Sequence, residues 1–434
     1  MMRVSKTPRE TGRRTLPEAL LVEIIARLPL KSIARFKSVC KTLKSVIEST
    51  YFRSFFVSLH LNSLPSWSLM LVPEYWGHYI AETIGFAKCE TWGLPKSLHS
   101  YIVPFQLYPN LSPGDYYYVC SSNGLILISL YSKHLEDNYK YFVGNPVLQQ
   151  WVKIPPPPNP RSHPNPNPYG ATGLVTRVEN GAVSSFKMIT DAGTDKLPRD
   201  KGMYVWRVCV YSSETGLWSF KQLLSPRPVE TFYYYAPVNI DEMLYMWKKD
   251  CDPTEPKVLI AHDFYGSETE CRVIPLPVPY NENVKRCLTT SRGDVICVEI
   301  LHRKLKIWRL NINSLEDGYW QLLTPEINMA YVGLNFKCFP MAMNPFDSDI
   351  IYLWSRKHSC LVSGNLHTQE FIVHHQDSEN WTSDESCCRI NTYDFKYYME
   401  HMERRRNRRN QTSIIMLSQF VLPRWMDSVP RPPN

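Results

Sequence analysis

Proline punctuation sets the strongest limit on what this 434-residue chain can fold into. It holds 34 prolines and only 18 glycines. Proline lacks a backbone N–H and breaks helix interiors, so long uninterrupted helices are excluded from most of the length. The segments between the breaks are short and apolar or alternating: Trp67–Val72, Gly124–Ile128, Val295–Ile300, Lys306–Leu310 and Ile350–Trp354. Their β-branched and aromatic residues suit a pleated, half-buried surface. Hydrophobic residues make up 44% against 21% charged, which indicates a folded chain and not a disordered one. An all-β region is therefore expected from about residue 60 to residue 400.

A weak repeat runs through that region. Glu214-Thr215-Gly216-Leu217-Trp218, followed by Gln222–Pro226, matches Glu316-Asp317-Gly318-Tyr319-Trp320, followed by Gln321–Pro325. Gly266–Pro275 lies midway, and Glu370–Val373 falls about one period later. Trp151–Pro155 and Cys89–Trp92 extend the series upstream. About six units, each long enough for several strands, fit the blades of a β-propeller. A pair of β-sandwiches or a less regular β structure fits the strand content as well, because neither a Gly-Gly doublet nor a Gly-His and Trp-Asp pair is present.

Helical periodicity is concentrated in residues 15–56, within a helical module that spans residues 15–58. Thr15 and Glu18 have capping-box spacing, with Pro17 in the first turn. Leu20, Ile24 and Leu28 follow at every fourth position, beside Leu21 and Ile25, and Pro29 ends the helix. A second helix from Ser32 turns Ile33, Phe36 and Val39 inward, and a third carries Cys40, Leu43, Val46 and Ile47. Three short helices cannot bury this much apolar surface alone, so part of it is expected to meet another chain.

The segment Leu16–Lys41 resembles the F-box of plant F-box proteins. Leu16-Pro17, Pro29-Leu30, Lys31-Ser32-Ile33-Ala34-Arg35-Phe36 and Val39-Cys40-Lys41 carry the likeness. The resemblance implies docking on the Skp adaptor of a cullin–RING ubiquitin ligase. It implies that Leu16, Pro17, Leu20, Ile24, Leu28, Pro29, Leu30, Ile33, Val39 and Cys40 form or support the docking surface. Family members commonly carry Trp where Leu43 stands, so some aromatic area is missing. The β region also resembles the F-box-associated domain, through Ser122-Asn123-Gly124-Leu125-Ile126 and Asn145-Pro146 with Trp151–Pro155. That likeness implies a propeller-like domain that recruits a protein substrate.

Charge sits at the ends. The formal net charge is +8, of which residues 1–15 carry +4 and residues 401–434 carry +5, leaving −1 for the body. A nucleic-acid-binding core is not indicated. Residues 1–14 read as a basic disordered tail, 401–411 as a basic connector and 412–434 as a returning strand with a tail. Arg404, Arg405, Arg406, Arg408 and Arg409 read as a nuclear localisation patch or as a solvated connector. With no export signal, the twelve cysteines read as reduced thiols of a nuclear or cytoplasmic protein.

Catalytic motifs are sparse. There is no phosphate-cradling Gly-rich loop, nucleophile elbow or His-Glu-x-x-His helix. His374-His375 and Cys387-Cys388 lack metal-ligand spacing and read as loop residues. Tyr116–Tyr118 and Tyr233–Tyr235 read as alternating strand residues. The expected protein is thus α+β and multidomain, with a three-helix F-box module and a roughly six-bladed propeller. Its expected work is that of a substrate receptor of a Skp–cullin–F-box ligase, with no catalytic residues, metal or cofactor. A propeller scaffold, a propeller enzyme or a nucleic-acid-associated protein are the alternatives.

Overall fold

The computed structural model describes residues 17–60, 67–71, 81–86, 116–131, 139–157, 171–196, 202–227, 229, 237–240, 242–247, 258–277, 283–311, 319–334, 337–374, 381–383, 388–391, 399, 414–415 and 417–433. The chain forms two compact units. One comprises residues 1–64, 89–94 and 424–426, and the other holds the rest.

The first unit is helical. Four helices are present among its described residues, one more than the periodicity predicts: α1 (Glu18–Ala26), α2 (Leu30–Phe36), α3 (Lys41–Ile47) and α4 (Thr50–Leu59). The fourth is set off by Ser49, whose Oγ accepts the Phe52 N–H at 3.1 Å as an N-cap. Its Phe52 and Phe56 are fully buried. Thr15, the expected cap of α1, lies outside the described residues. Pro17 takes the cap position with no side-chain hydrogen bond.

Among its described residues, the second unit holds six sheets. Sheet I gathers Trp67–Leu71 and Ala81–Phe86 with Trp381–Ser383, Cys388–Asn391 and Ser418–Val421, so both ends of the unit share it. Sheets II, III and IV are four-stranded antiparallel meanders that begin at Tyr116, Ala171 and Val238. Sheet V starts with Lys285–Ser291, Asp294–Leu301, Lys304–Leu310 and Trp320–Leu322. It adds Ile327–Asn328 and a parallel strand, Ile414–Ile415. Sheet VI holds Cys338–Met343, Ile350–Ser355, Cys360–Asn365 and Glu370–Val373. The stretch Thr412–Leu422, expected as one strand, thus supplies two short ones to different sheets.

Neighbouring sheets bury shared apolar clusters. Leu127 and Val143 of sheet II meet Leu174 and Met188 of sheet III. Val208 and Ile189 meet Leu244 and Ile260 of sheet IV. Leu259 meets Leu288 and Cys297 of sheet V, and Val298 meets Leu353 of sheet VI. Trp67 and Leu69 of sheet I pack with Phe339, Tyr352 and Trp354 of sheet VI. Four-stranded sheets packed face to face in sequence order are consistent with a β-propeller.

The repeat has a physical role. Trp218 and Trp320 open the last strands of their meanders, and each indole N–H reaches the preceding sheet. Trp218 donates to the Pro155 carbonyl at 2.9 Å, and Trp320 to the Pro275 carbonyl at 2.7 Å. Each proline directly follows or ends the last strand of that sheet. The indole therefore stitches adjacent sheets while its ring packs between them. Cys89–Trp92, the proposed first member, lies outside the described residues.

Polar side chains join the first strands of the meanders. Asn239 of sheet IV donates to the carbonyls of Ser121 (2.7 Å) and Leu174 (2.8 Å) in sheets II and III. Ser122 Oγ and Thr176 Oγ1 lie 2.8 Å apart, and Ser291 donates to the Asn344 carbonyl at 2.7 Å. Gln419 does most. Its Oε1 accepts the Thr290 N–H at 3.1 Å and the Thr290 hydroxyl, and its Nε2 donates to the carbonyls of Thr290 (3.1 Å) and Met343 (2.7 Å). The neighbouring Ser418 hydroxyl meets Tyr118 Oη at 2.6 Å. Gln419→Ala would leave several backbone groups without partners, at a cost of about 2–4 kcal/mol. Denaturant unfolding of the variant checks this, and removing residues 411–434 should cost more.

Among the described residues, one charge pair lies wholly inside. Arg286 and Glu299 face each other across sheet V, both fully buried, with Nε to Oε1 at 2.6 Å. Trp308 Nε1 donates to the second carboxylate oxygen at 3.1 Å. Burial pushes the Glu299 carboxyl above the ordinary carboxylate range, against the opposing pull of Arg286. Removing one partner strands the other charge. Glu299→Leu alone should therefore destabilise by about 3–5 kcal/mol, and Arg286→Met with Glu299→Leu by much less. Equal losses in equilibrium unfolding would contradict this.

Candidate partner-docking site on the helical unit

The helical unit sorts its apolar residues into two sets. Val22, Ile25 and Ala26 of α1, Leu30 and Ile33 of α2, Val46 and Ile47 of α3, and Phe52 and Phe56 of α4 are buried. Leu20 and Ile24 face outward, 49% and 51% exposed. They stand one helical turn apart on the same face of α1. Val39 is 65% exposed on the turn before α3. Cys40 beside it is exposed, and its Sγ caps α3 by accepting the Leu43 N–H at 3.5 Å.

The expected docking residues therefore separate. Pro17, Leu20, Ile24, Val39 and Cys40 are exposed, while Leu28 and Pro29 are half-buried. Leu30 and Ile33 have no exposure and support the surface from beneath. Leu16 lies outside the described residues. Leu28 does not continue the Leu20–Ile24 stripe, because α1 ends at Ala26 and Pro29 caps the next helix. Leu43 is half-buried in α3. Half-exposed aliphatic side chains such as Leu20 and Ile24 can each contribute about 1 kcal/mol when a partner covers the rest of them.

Two features of this unit escape sequence reasoning. His60 donates from Nε2 to the Ala26 carbonyl at 2.8 Å, satisfying an orphan group at the end of α1. Trp425, from the 424–426 segment of the same unit, packs its ring 5.9 Å from Phe52 and 5.1 Å from Phe56. No periodicity links a tryptophan near the end of the chain to α4. Trp425→Ala opens a cavity worth about 3 kcal/mol. Hydrogen exchange of the Phe52–His60 amides should accelerate accordingly.

Other expected candidates disperse. Arg404–Arg409, Tyr233–Tyr235, His375 and Cys387 lie outside the described residues. Tyr118 is buried, and burial holds its hydroxyl above the usual phenol range. His374 Nε2 lies 2.7 Å from Ser363 Oγ. Among the described residues, no group of three or more His, Cys, Asp or Glu side chains could hold a metal ion. The described core cysteines are free thiols pushed up by burial, Cys120, Cys271 and Cys338 to about 12, so they are poor nucleophiles.

A small helical unit with outward apolar side chains and a second unit of packed β-sheets make a chain of two parts. Comparisons with known sequences say which parts they are. The F-box domain model matches residues 15–55, and the model described as F-box protein At3g26010-like, beta-propeller matches residues 65–431. F-box protein At1g49990 of Arabidopsis thaliana is 54% identical, over 98% of this chain and all of that protein. F-box protein At3g26010 of the same plant is 40% identical over 98% of this chain and 93% of its own. The putative F-box/kelch-repeat protein At4g22430, also from Arabidopsis thaliana, is 39% identical over 96% of this chain and 93% of its own. The chain belongs to the F-box proteins with an At3g26010-like β-propeller.

Proposed function

We propose that this protein is the substrate receptor of a Skp–cullin–F-box ubiquitin ligase. The helical unit would dock the Skp adaptor, and the β domain would hold a protein substrate. The observation that carries this reading is the outward display of Leu20, Ile24 and Val39 on the segment matched by the F-box domain. Apolar side chains grouped on the outside of a small helical unit offer the contact area that a docking surface needs. An interface of this kind draws its energy from a few apolar anchors seated in pockets. The chain contributes no reacting group. It raises the effective concentration of the substrate beside the ubiquitin-conjugating enzyme, and the chemistry stays with other subunits.

Free thiols at the described cysteine side chains suit the reducing nucleus or cytoplasm. The Arg404–Arg409 run would serve import in the first case.

The test is a binding measurement with purified Skp-type adaptor. Leu20→Asp with Ile24→Asp places two charges on the exposed face and leaves the buried set untouched. Affinity should fall at least about a hundredfold while the melting temperature holds. Full retention by the folded double variant would remove the docking claim.

A further inference from the structure

Sheets V and VI carry a second exposed surface, at the strand ends opposite the Arg292–Gly293 turn. Strand Asp294–Leu301 passes into Lys304–Leu310 through His302 and Arg303 alone, both left-handed, with φ of 49° and 64°. Two successive left-handed residues make the hairpin turn that Asn-Gly ordinarily fills. Asn123–Gly124, Asn180–Gly181 and Arg292–Gly293 in this protein each end such a pair on glycine. His302–Arg303 does not. A retained conformational cost of this kind points from backbone to function.

The neighbouring loop is fixed in place. The Met329 N–H bonds to the Arg303 carbonyl at 2.9 Å, the Leu334 N–H to the Met329 carbonyl at 2.9 Å, and the Ala330 N–H to Asn328 Oδ1 at 3.1 Å. Met329 and Leu334 are buried with Leu305 and Cys338. At the tip stands Tyr331, 88% exposed, the most open large apolar-bodied side chain among the described residues. A third turn joins through the Arg356 N–H, which bonds to the Lys337 carbonyl at 3.0 Å. A solvent-facing tyrosine on a hydrogen-bonded loop provides contact area of the kind enriched in protein interfaces.

The charge on these turns is one-sided. Arg303, Lys304, Lys337, Arg356 and Lys357 are exposed on these turns, and Lys306 is half-buried. Among the described residues there, Glu326 is the single carboxylate, and it is shared by Lys304 (2.6 Å) and Lys306 (3.1 Å). The body as a whole carries −1 once the tails are set aside, so this is a local field and not the spread-out footprint that tracks a phosphate backbone.

We propose that the Tyr331 platform binds an acidic, carboxylate-rich segment of the protein cargo. The proposal rests on the substrate-receptor reading and names the chemistry of what is received. It is tested with the full-length chain and a short fluorescein-labelled peptide of alternating glutamate and leucine. A lysine–leucine peptide and a single-stranded RNA are run beside it, all by fluorescence anisotropy. The glutamate peptide should bind selectively. Arg303→Glu with Lys337→Glu should weaken it at least about tenfold, and Tyr331→Ala about tenfold. Arg303→Gly should weaken binding while raising the melting temperature, because it removes both the charge and the strained turn.

Adaptor binding is measured on the same preparations and should not change in any of these variants. Preference for RNA would overturn the proposal in favour of a nucleic-acid surface. Absent binding of the glutamate peptide, or equal binding by the variants, would overturn it outright. Loss of adaptor binding by the unaltered chain, with peptide binding intact, would remove the receptor reading and leave the acid-binding platform standing.

Discussion

The β domain depends on how the inner edges of its sheets are satisfied. The first strands of sheets II, III, IV and VI pair on one side only, and that of sheet V pairs on its other side only at Arg286 and Cys287, so the remaining edge presents unpaired N–H and C=O groups. Here side chains from neighbouring sheets meet some of those groups. Asn239 reaches the carbonyls of Ser121 and Leu174, and Gln419 reaches those of Thr290 and Met343. Each amide bonds to two other sheets, so the same atoms satisfy an edge and fix the spacing between sheets. The apolar clusters between the sheets supply burial, which is non-directional. The amides supply geometry.

This explains how much of the fold the sequence reveals. Strands with aromatic and β-branched runs were legible because period and composition agree there, as at Val295–Ile300. Trp218 and Trp320 were legible because a repeated contact leaves a repeated residue. The amide and hydroxyl network was not. Ser121, Thr176, Asn239, Thr290 and Gln419 are single polar residues in ordinary strands, and what gives them meaning is a partner on another sheet. The buried charge pair was hidden for the same reason. In sequence Glu299 is one charge in an apolar strand, and only the fold sets Arg286 opposite and Trp308 beside it.

The helical unit shows the complementary limit. The density of Leu and Ile over residues 20–33 announced helices and surplus apolar surface. It did not say which residues point outward. The every-fourth-residue stripe from Leu20 to Leu28 presupposes one continuous helix, and the chain interrupts it after Ala26. Proline then serves as a starter: Pro17 and Pro29 both occupy cap positions, where a missing N–H costs nothing. Only the pair Leu20 and Ile24 survives as an exposed face. The core beneath it borrows Trp425 from the far end of the sequence, a contact that no local pattern encodes.

The two proposed contact surfaces obey different physics, and that difference suits an adaptor. Grip on the ligase would come from aliphatic anchors, whose burial salt does not screen. Selection of cargo would come from a lysine- and arginine-bearing platform around one tyrosine, where attraction fades beyond about 8 Å at physiological ionic strength. The first favours lasting assembly. The second favours rapid, orientation-guided encounter and ready release, because exposed charges act more on association rate than on residence. A receptor that must stay with its ligase while cargo comes and goes needs that asymmetry. On the proposed reading, Leu20, Ile24 and Val39 would supply the first and Arg303, Tyr331 and Lys337 the second.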